Sequence, residues 1–249
     1  MRSNLPRLVA TVLLIAMALS ASADHLVVGV EATDQFPIYR ASETESYTGY
    51  ARELLDSFAA AYGHVLEYRA MPIPRLYAEL LDKNAIDLKF PDNPAWKAEA
   101  RKGKNIAYSE PAVHVTEGAF VLPDKLNQGL TSVATIAAVR GFTPVPYEKQ
   151  IASGTIRYVE VNSFDSLVRI GLAHRVDAIY ANTIVTNYYL AEVLRQPGGL
   201  LFDPSLPEMQ TDFRVSSIKR PDVIKQFNEY LVSHRTDVAR LRAKYSINP

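Results

Sequence analysis

Short apolar runs and amphipathic helical segments take turns along almost the whole chain. "HLVVGVE", His25 to Glu31, reads as a buried strand and is followed by a helix over "YARELLDSFAAAYG". In that helix Tyr50, Leu54, Leu55, Phe58 and Tyr62 recur at helical spacing, and Gly63 stands where a left-handed C-terminal cap belongs. "VLEYRAM" is a second strand, "PRLYAELLDKN" a short helix with proline in its first turn, and Ile86 to Phe90 a third strand that stops at Pro91. Asn93 and Pro94 read as the N-cap and first residue of the helix "AWKAEARKGK". The second half repeats this grammar. Strands fall at "TIAAVRG", "TIRYVEV" and "VDAIYA". Helices fall at "PVPYEKQIASG", at "SFDSLVRIGLAHR" capped by Ser163, and at "TIVTNYYLAEVL" opened by Asn182. Strands that alternate with helices of about 10–15 residues predict an α/β chain with parallel sheets built from βαβ units.

Two strands break the alternation. "GAFVLP", Gly118 to Pro123, leads from the first half into the second, and "DFRVSSI", Asp212 to Ile218, leads out again into two amphipathic helices, "PDVIKQFNEYLVSH" and "TDVARLRAKYSI". A chain that leaves one lobe once and returns once makes two α/β lobes joined by two crossing hinge strands, with a cleft between them. The expected limits are 24–118 with 212–249 for lobe 1 and 119–211 for lobe 2. The lobes also echo each other: "LLDKNAIDLKFPDNP" and "GLAHRVDAIYANTI" share an order of elements and place Asp87 and Asp177 at matching points.

The first 23 residues read as a cleavable secretory signal peptide. Arg2 and Arg7 form a basic start, Leu8 to Leu19 an apolar core, and Ala21 to Ala23 a small-residue site before Asp24. The core is shorter than the roughly 20 residues a membrane span needs. A chain without cysteine has no disulfides and no lipidated N-terminal cysteine, so its stability rests on its core. With 27 basic against 27 acidic residues there is no basic excess for nucleic acid. The expectation is a soluble, monomeric periplasmic protein.

On these segments the chain resembles family 3 extracellular solute-binding proteins, the periplasmic receptors typical of polar amino-acid ABC transporters. The resemblance is carried by "LVVGVEATDQFPIY", "YTGYARELLDSFAAAYG", "NAIDLKF", "IAYSEPAV", "AAVRGFT" and the second-lobe run through "IYANTIVTNYYL", and it spans about Leu26 to Ile247. It implies a periplasmic-binding-protein type II fold that closes on a small polar or anionic solute, amino-acid-like or a carboxylate, and presents it to an ABC permease or a sensor ectodomain. Two departures stand out. Members that bind α-amino acids carry an arginine after the third strand; here the turn is Phe90 to Trp96 without one. They carry an aspartate after the second-lobe strand; here it is Asn182. The family also includes periplasmic dehydratases for cyclic dienyl acids. On that alternative Glu31 or Asp92 is the general acid.

Ligands of open α/β sheets bind beyond the carboxyl ends of the strands. That rule nominates Glu31, Phe36, Tyr39, Phe90, Asp92 and Asn93 in the first lobe, and Thr143 and Asn182 in the second. Asn93 and Asn182 open helices, whose free N–H groups suit an anion. Arg75, starting a helix after Pro72 and Pro74, is the candidate charged anchor. The aromatic residues near these turns, including Tyr47, Trp96 and Phe142, suit an apolar, aromatic or cationic solute. The five histidines have no metal-ligand spacing, and no cofactor motif is present.

Overall fold

A computed structural model of the chain describes residues 24–247, so the signal-peptide reading lies outside the described residues. The strands are β1 (His25–Glu31), the short pair β2 (Asp34–Gln35) and β3 (Tyr39–Arg40), β4 (Val65–Met71), β5 (Leu88–Asp92), β6 (Ala107–Tyr108), β7 (Val113–Val121), β8 (Thr135–Val139), β9 (Arg157–Val161), β10 (Ala178–Asn182), β11 (Leu201–Phe202) and β12 (Met209–Ser217). The helices are α1 (Tyr50–Tyr62), α2 (Ile73–Leu81), α3 (Ala98–Arg101), α4 (Glu148–Ala152), α5 (Phe164–Leu172), α6 (Thr183–Tyr188), α7 (Pro221–Ser233) and α8 (Arg235–Lys244).

The main sheet runs β4-β1-β5-β12-β7-β10-β8-β9. Its two ends are parallel triplets, with β1 between β4 and β5 in one lobe and β8 between β9 and β10 in the other. The strands joining them are antiparallel to their neighbours. β12 pairs with β5, β7 pairs with β10, and Met209–Phe213 pairs with Val113–Glu117 between the lobes. These are the two crossing strands of the sequence reading. β7 starts upstream of Gly118, so its first half lies in the crossing itself.

Each lobe is covered by helices whose apolar stripe the sequence displays. α1 buries Tyr50, Leu54, Leu55 and Phe58, and the Phe58 ring meets Phe227 of α7 edge-on at 5.2 Å. Gly63 ends α1 at φ 75°, the left-handed cap that its lack of a Cβ permits. The C-terminal helices return to the first lobe: Lys244 Nζ and Tyr245 OH both reach Glu53 of α1 at 2.7 Å.

The echo between the lobes has a physical meaning. Asp87 accepts a bond from Val27 N of β1 at 2.8 Å, and its own N–H donates to Val27 O at 2.9 Å. Asp177 does the same to β8, accepting from Thr135 N at 2.7 Å and donating to Thr135 O at 3.2 Å. In both lobes an aspartate just before a strand fixes the start of the neighbouring strand, pinning their relative register.

Two local expectations are corrected. The third strand does not stop at Pro91 but runs to Asp92, because β12 carries an irregularity between Arg214 and Ser216 opposite the residue with no N–H to give. No helix starts at Pro94 either. The chain turns through 94–97, Lys97 takes φ 51°, and only Ala98–Arg101 is helical. The Asn93 side chain instead holds the turn and the returning strand, its Oδ1 accepting from Ala95 N at 2.9 Å and its Nδ2 donating to Thr211 Oγ1 at 2.6 Å and to Asp212 O at 2.9 Å.

The register pin gives a test. Asp177→Ala removes the acceptor for Thr135 N, Ala134 N and Thr135 Oγ1. Denaturant unfolding is expected to show a loss of roughly 1 kcal/mol, the net worth of part-buried hydrogen bonds. A change below about 0.5 kcal/mol rejects the pinning role.

Candidate functional site

A narrow pocket lies between the lobes, against the crossing strands. The first lobe supplies Glu31 at the end of β1, Gln35 and Tyr39 from the β2–β3 hairpin, Ile73 and Tyr77 of α2, and Trp96 from the turn after β5. The crossing strands supply Glu117 and Phe213. The second lobe supplies Gly141, Phe142 and Thr143 after β8, and Tyr180 of β10. The site stands at the carboxyl ends of β1, β5 and β8, as expected for an open α/β sheet.

Two carboxyl groups face this space. Glu31 is buried and accepts from Tyr39 OH at 2.5 Å. Burial raises its pKa, and Lys89 and the Tyr39 bond only partly offset this. Glu117 accepts from Tyr180 OH at 3.1 Å. Burial pushes its carboxyl up to about 7, against the Tyr180 bond and with the charge of Glu31 adding to the rise. The remaining walls are largely aromatic, with Trp96 edge-on to Phe213 at 5.4 Å. No lysine, arginine or histidine is among the described lining residues.

The nearest positive charges are spent behind the wall. Asp92, fully buried, accepts from Arg101 Nη2 at 2.5 Å and Nη1 at 3.1 Å, from Lys89 Nζ at 3.2 Å and from Ser216 Oγ at 2.5 Å. Burial works to raise the Asp92 carboxyl, but the Lys89 and Arg101 charges overcome it and hold the group below the usual carboxylate range. Lys89 Nζ also donates to Pro91 O and sits over the Tyr77 ring at 4.7 Å. The cluster ties β5 to α3 and to β12.

Of the nominated residues, Glu31, Tyr39 and Thr143 line the cavity. Phe90 lies in the core beneath it, edge-on to Tyr39 at 6.2 Å. Asp92 is the centre of the ion cluster. Asn93 ties to β12. Asn182 caps α6, its Oδ1 accepting from Ile184 N at 2.9 Å and Val185 N at 3.2 Å, so those N–H groups are already satisfied. Arg75 points outward, its side chain 62% exposed, with Glu79 3.7 Å away. Phe36 lies on another face of the cleft, 5.0 Å from Tyr188 and 6.0 Å from Tyr245. Outside the nominations, the structure brings in Gln35, Ile73, Tyr77, Glu117, Tyr180 and Phe213. Glu117 was one residue upstream of the crossing strand as read. An acid set inside the apolar run "VHVTEGAFV" was the available signal, as was the lysine inside "IDLKF" for the ion cluster.

No family model matches the chain, and none of the curated proteins does. Solved structures do match. An arginine third transport system periplasmic binding protein from Legionella pneumophila superposes at TM-score 0.70 and 16% identity, over 90% of this chain and 100% of that one. An ABC uptake transporter substrate-binding protein from Streptococcus pneumoniae with bound histidine gives 0.70 at 20% identity, over 89% and 92%. The ancestral amino-acid-binding protein AncCDT-1, a precursor of cyclohexadienyl dehydratase, gives 0.67 at 16%, over 89% and 94%. The likeness is one of fold. The chain has the two-lobed α/β fold of type II periplasmic binding proteins.

Glu117 makes the site measurable through stability. Folded, it keeps its proton to about pH 7; unfolded, it loses it near the ordinary carboxylate value of 4.5. The Glu117 contribution to stability is therefore full below pH 4.5 and is lost as the pH rises through 7. The limit for a shift of this size is on the order of 3 kcal/mol. Glu117→Gln should flatten most of that fall, Glu31 leaving a residual slope. An unchanged pH dependence of thermal unfolding would show that Glu117 is not the group responsible.

Proposed function

We propose that this protein is a periplasmic solute receptor that captures a small polar solute between its lobes by hinge closure. The observation that carries the reading is the joint ownership of the cavity: each lobe and both crossing strands supply walls, so the site is complete only when the lobes meet. Ligand contacts then offset the cost of closure, and the occupied form differs in shape from the empty one. Such a closed form is what a permease of the ABC type or a sensor ectodomain recognises, and the amino-acid ligands of the fold neighbours support a solute of that size. We place the lobes at 24–118 with 212–249 and at 119–211. We read residues 1–23 as the leader that directs export to the periplasm, and the working form as a monomer.

A dehydratase-like enzyme is the second reading. Glu117 favours it, since a carboxyl that titrates near neutrality inside a cavity is suited to act as a general acid. Asp92, named for that role from the sequence, is locked in its ion cluster. Ligand-observed proton NMR with a mixture of amino acids, amines, dicarboxylates, aromatic acids and a dienyl acid separates the readings. Saturation transfer to one compound, with its spectrum unchanged after hours, is the expected result. Product signals growing at the expense of one compound would establish the enzyme instead.

Closure itself has a sensitive point. Gly141 sits at φ +92°, and a Cβ there would come 2.9 Å from Ile73 Cβ of the opposite lobe. A clash of this kind costs on the order of 1–3 kcal/mol. Gly141→Ala is therefore expected to weaken solute binding about tenfold or more and to shift solution scattering toward the open form. Full affinity in this variant would remove the Gly141–Ile73 contact from the closing motion.

A further inference from the structure

The cavity specifies the charge of what it holds. Two buried carboxyl groups, Glu31 and Glu117, face into it, and each has one protein donor, Tyr39 OH and Tyr180 OH respectively. A carboxylate has room for further donors beyond one hydroxyl. No cation is among the described lining residues. Lys89 and Arg101, the charges closest behind the wall, are consumed by Asp92 and by the carbonyl oxygens of Pro91 and Trp96. A solute carboxylate would therefore enter as a third acid without a counter-charge, in a space where burial already disfavours charge. A protonated nitrogen meets the opposite conditions, with two acceptors to bond.

A second, independent observation concerns the amide of Gln35. This residue is 1% exposed, lines the cavity, and its Nε2 has no hydrogen-bond partner. The Thr143 hydroxyl, also in the lining, is buried without a partner too. A buried donor left unmade is costly, so the site is finished by an acceptor the solute brings. A neutral carbonyl or hydroxyl oxygen supplies that acceptor without adding negative charge.

We infer that the solute is a compact amine, with a protonated nitrogen held between Glu31 and Glu117, a neutral oxygen at Gln35 and Thr143, and no carboxylate. Amino alcohols and amino-acid amides belong to this class; free amino acids do not. The inference rests on the receptor reading and narrows it.

Titration of the purified protein with ethanolamine, glycinamide, methylammonium and glycine tests it, read by calorimetry and by the fluorescence of Trp96, the single tryptophan of the chain. Ethanolamine and glycinamide are expected to bind, with glycine at least tenfold weaker. Glu31→Gln and Glu117→Gln should each weaken the two amines tenfold or more, with thermal unfolding confirming that both variants are folded. Gln35→Leu should weaken ethanolamine while leaving methylammonium, which lacks the oxygen, unchanged. Glycine binding as tightly as glycinamide overturns the inference, and so does amine binding that neither glutamine variant alters. Binding of no probe also overturns it. In that case a compound from the broader mixture that still drives closure keeps the receptor reading standing, and the lack of any such compound brings both down.

Discussion

The Asp92 carboxylate organises the centre of this protein. It is buried at the end of β5, where a lone charge would be intolerable, and it is held there by Lys89, Arg101 and Ser216. Each partner belongs to a different piece of the chain: its own strand, the turn of helix that follows, and the strand that returns from the second lobe. The ion cluster therefore fastens the crossing strand to the first lobe beside the cleft. Removing Asp92 would leave Lys89 and Arg101 as buried charges without their shared partner.

The same cluster sets the character of the site next to it. By drawing the neighbouring cations onto Asp92, it leaves Glu31 and Glu117 hydrogen-bonded only to phenolic hydroxyls, with the Lys89 charge reaching Glu31 from a distance. Burial then does the rest, raising both carboxyl groups. Structure and chemistry are thus coupled through charge allocation. A carboxylate bonded directly to two cations becomes scaffold, and carboxylates bonded to none remain available.

What the sequence disclosed follows from what each residue type can signal locally. The alternation of strands and helices, the Gly63 cap, the Ser163 and Asn182 caps and the paired Asp87 and Asp177 all act over a few residues or through a fixed spacing, so each was readable. The strand-end rule placed Glu31, Tyr39 and Thr143 at the cavity. It also nominated Asp92 and Asn93, which stand in the right turn but face Arg101 and β12, because the direction of a side chain depends on partners from distant segments. Arg101 lies nine positions beyond Asp92, and Ser216 at the far end of the chain; their meeting has no local signature. Glu117 and Phe213 escaped because crossing strands obey no loop rule: they line the site from the middle of their run. Arg75 looked like an anchor from its proline-set helix start, yet α2 turns it to solvent and gives the cavity Ile73 and Tyr77 instead.

The order of elements along the chain carries a consequence for how the protein comes into being. β5 finishes its pairing only with β12, and α1 gains its helical neighbours only with α7 and α8, all of which follow the last strand of the second lobe. The second lobe has every strand of its own in hand earlier. As the polypeptide emerges N-terminus first during synthesis, the lobe that begins first must therefore wait, its sheet edge open, while the inserted lobe matures. The final helices then seal it, and the cavity between the two acquires its last wall, Phe213, at almost the same moment.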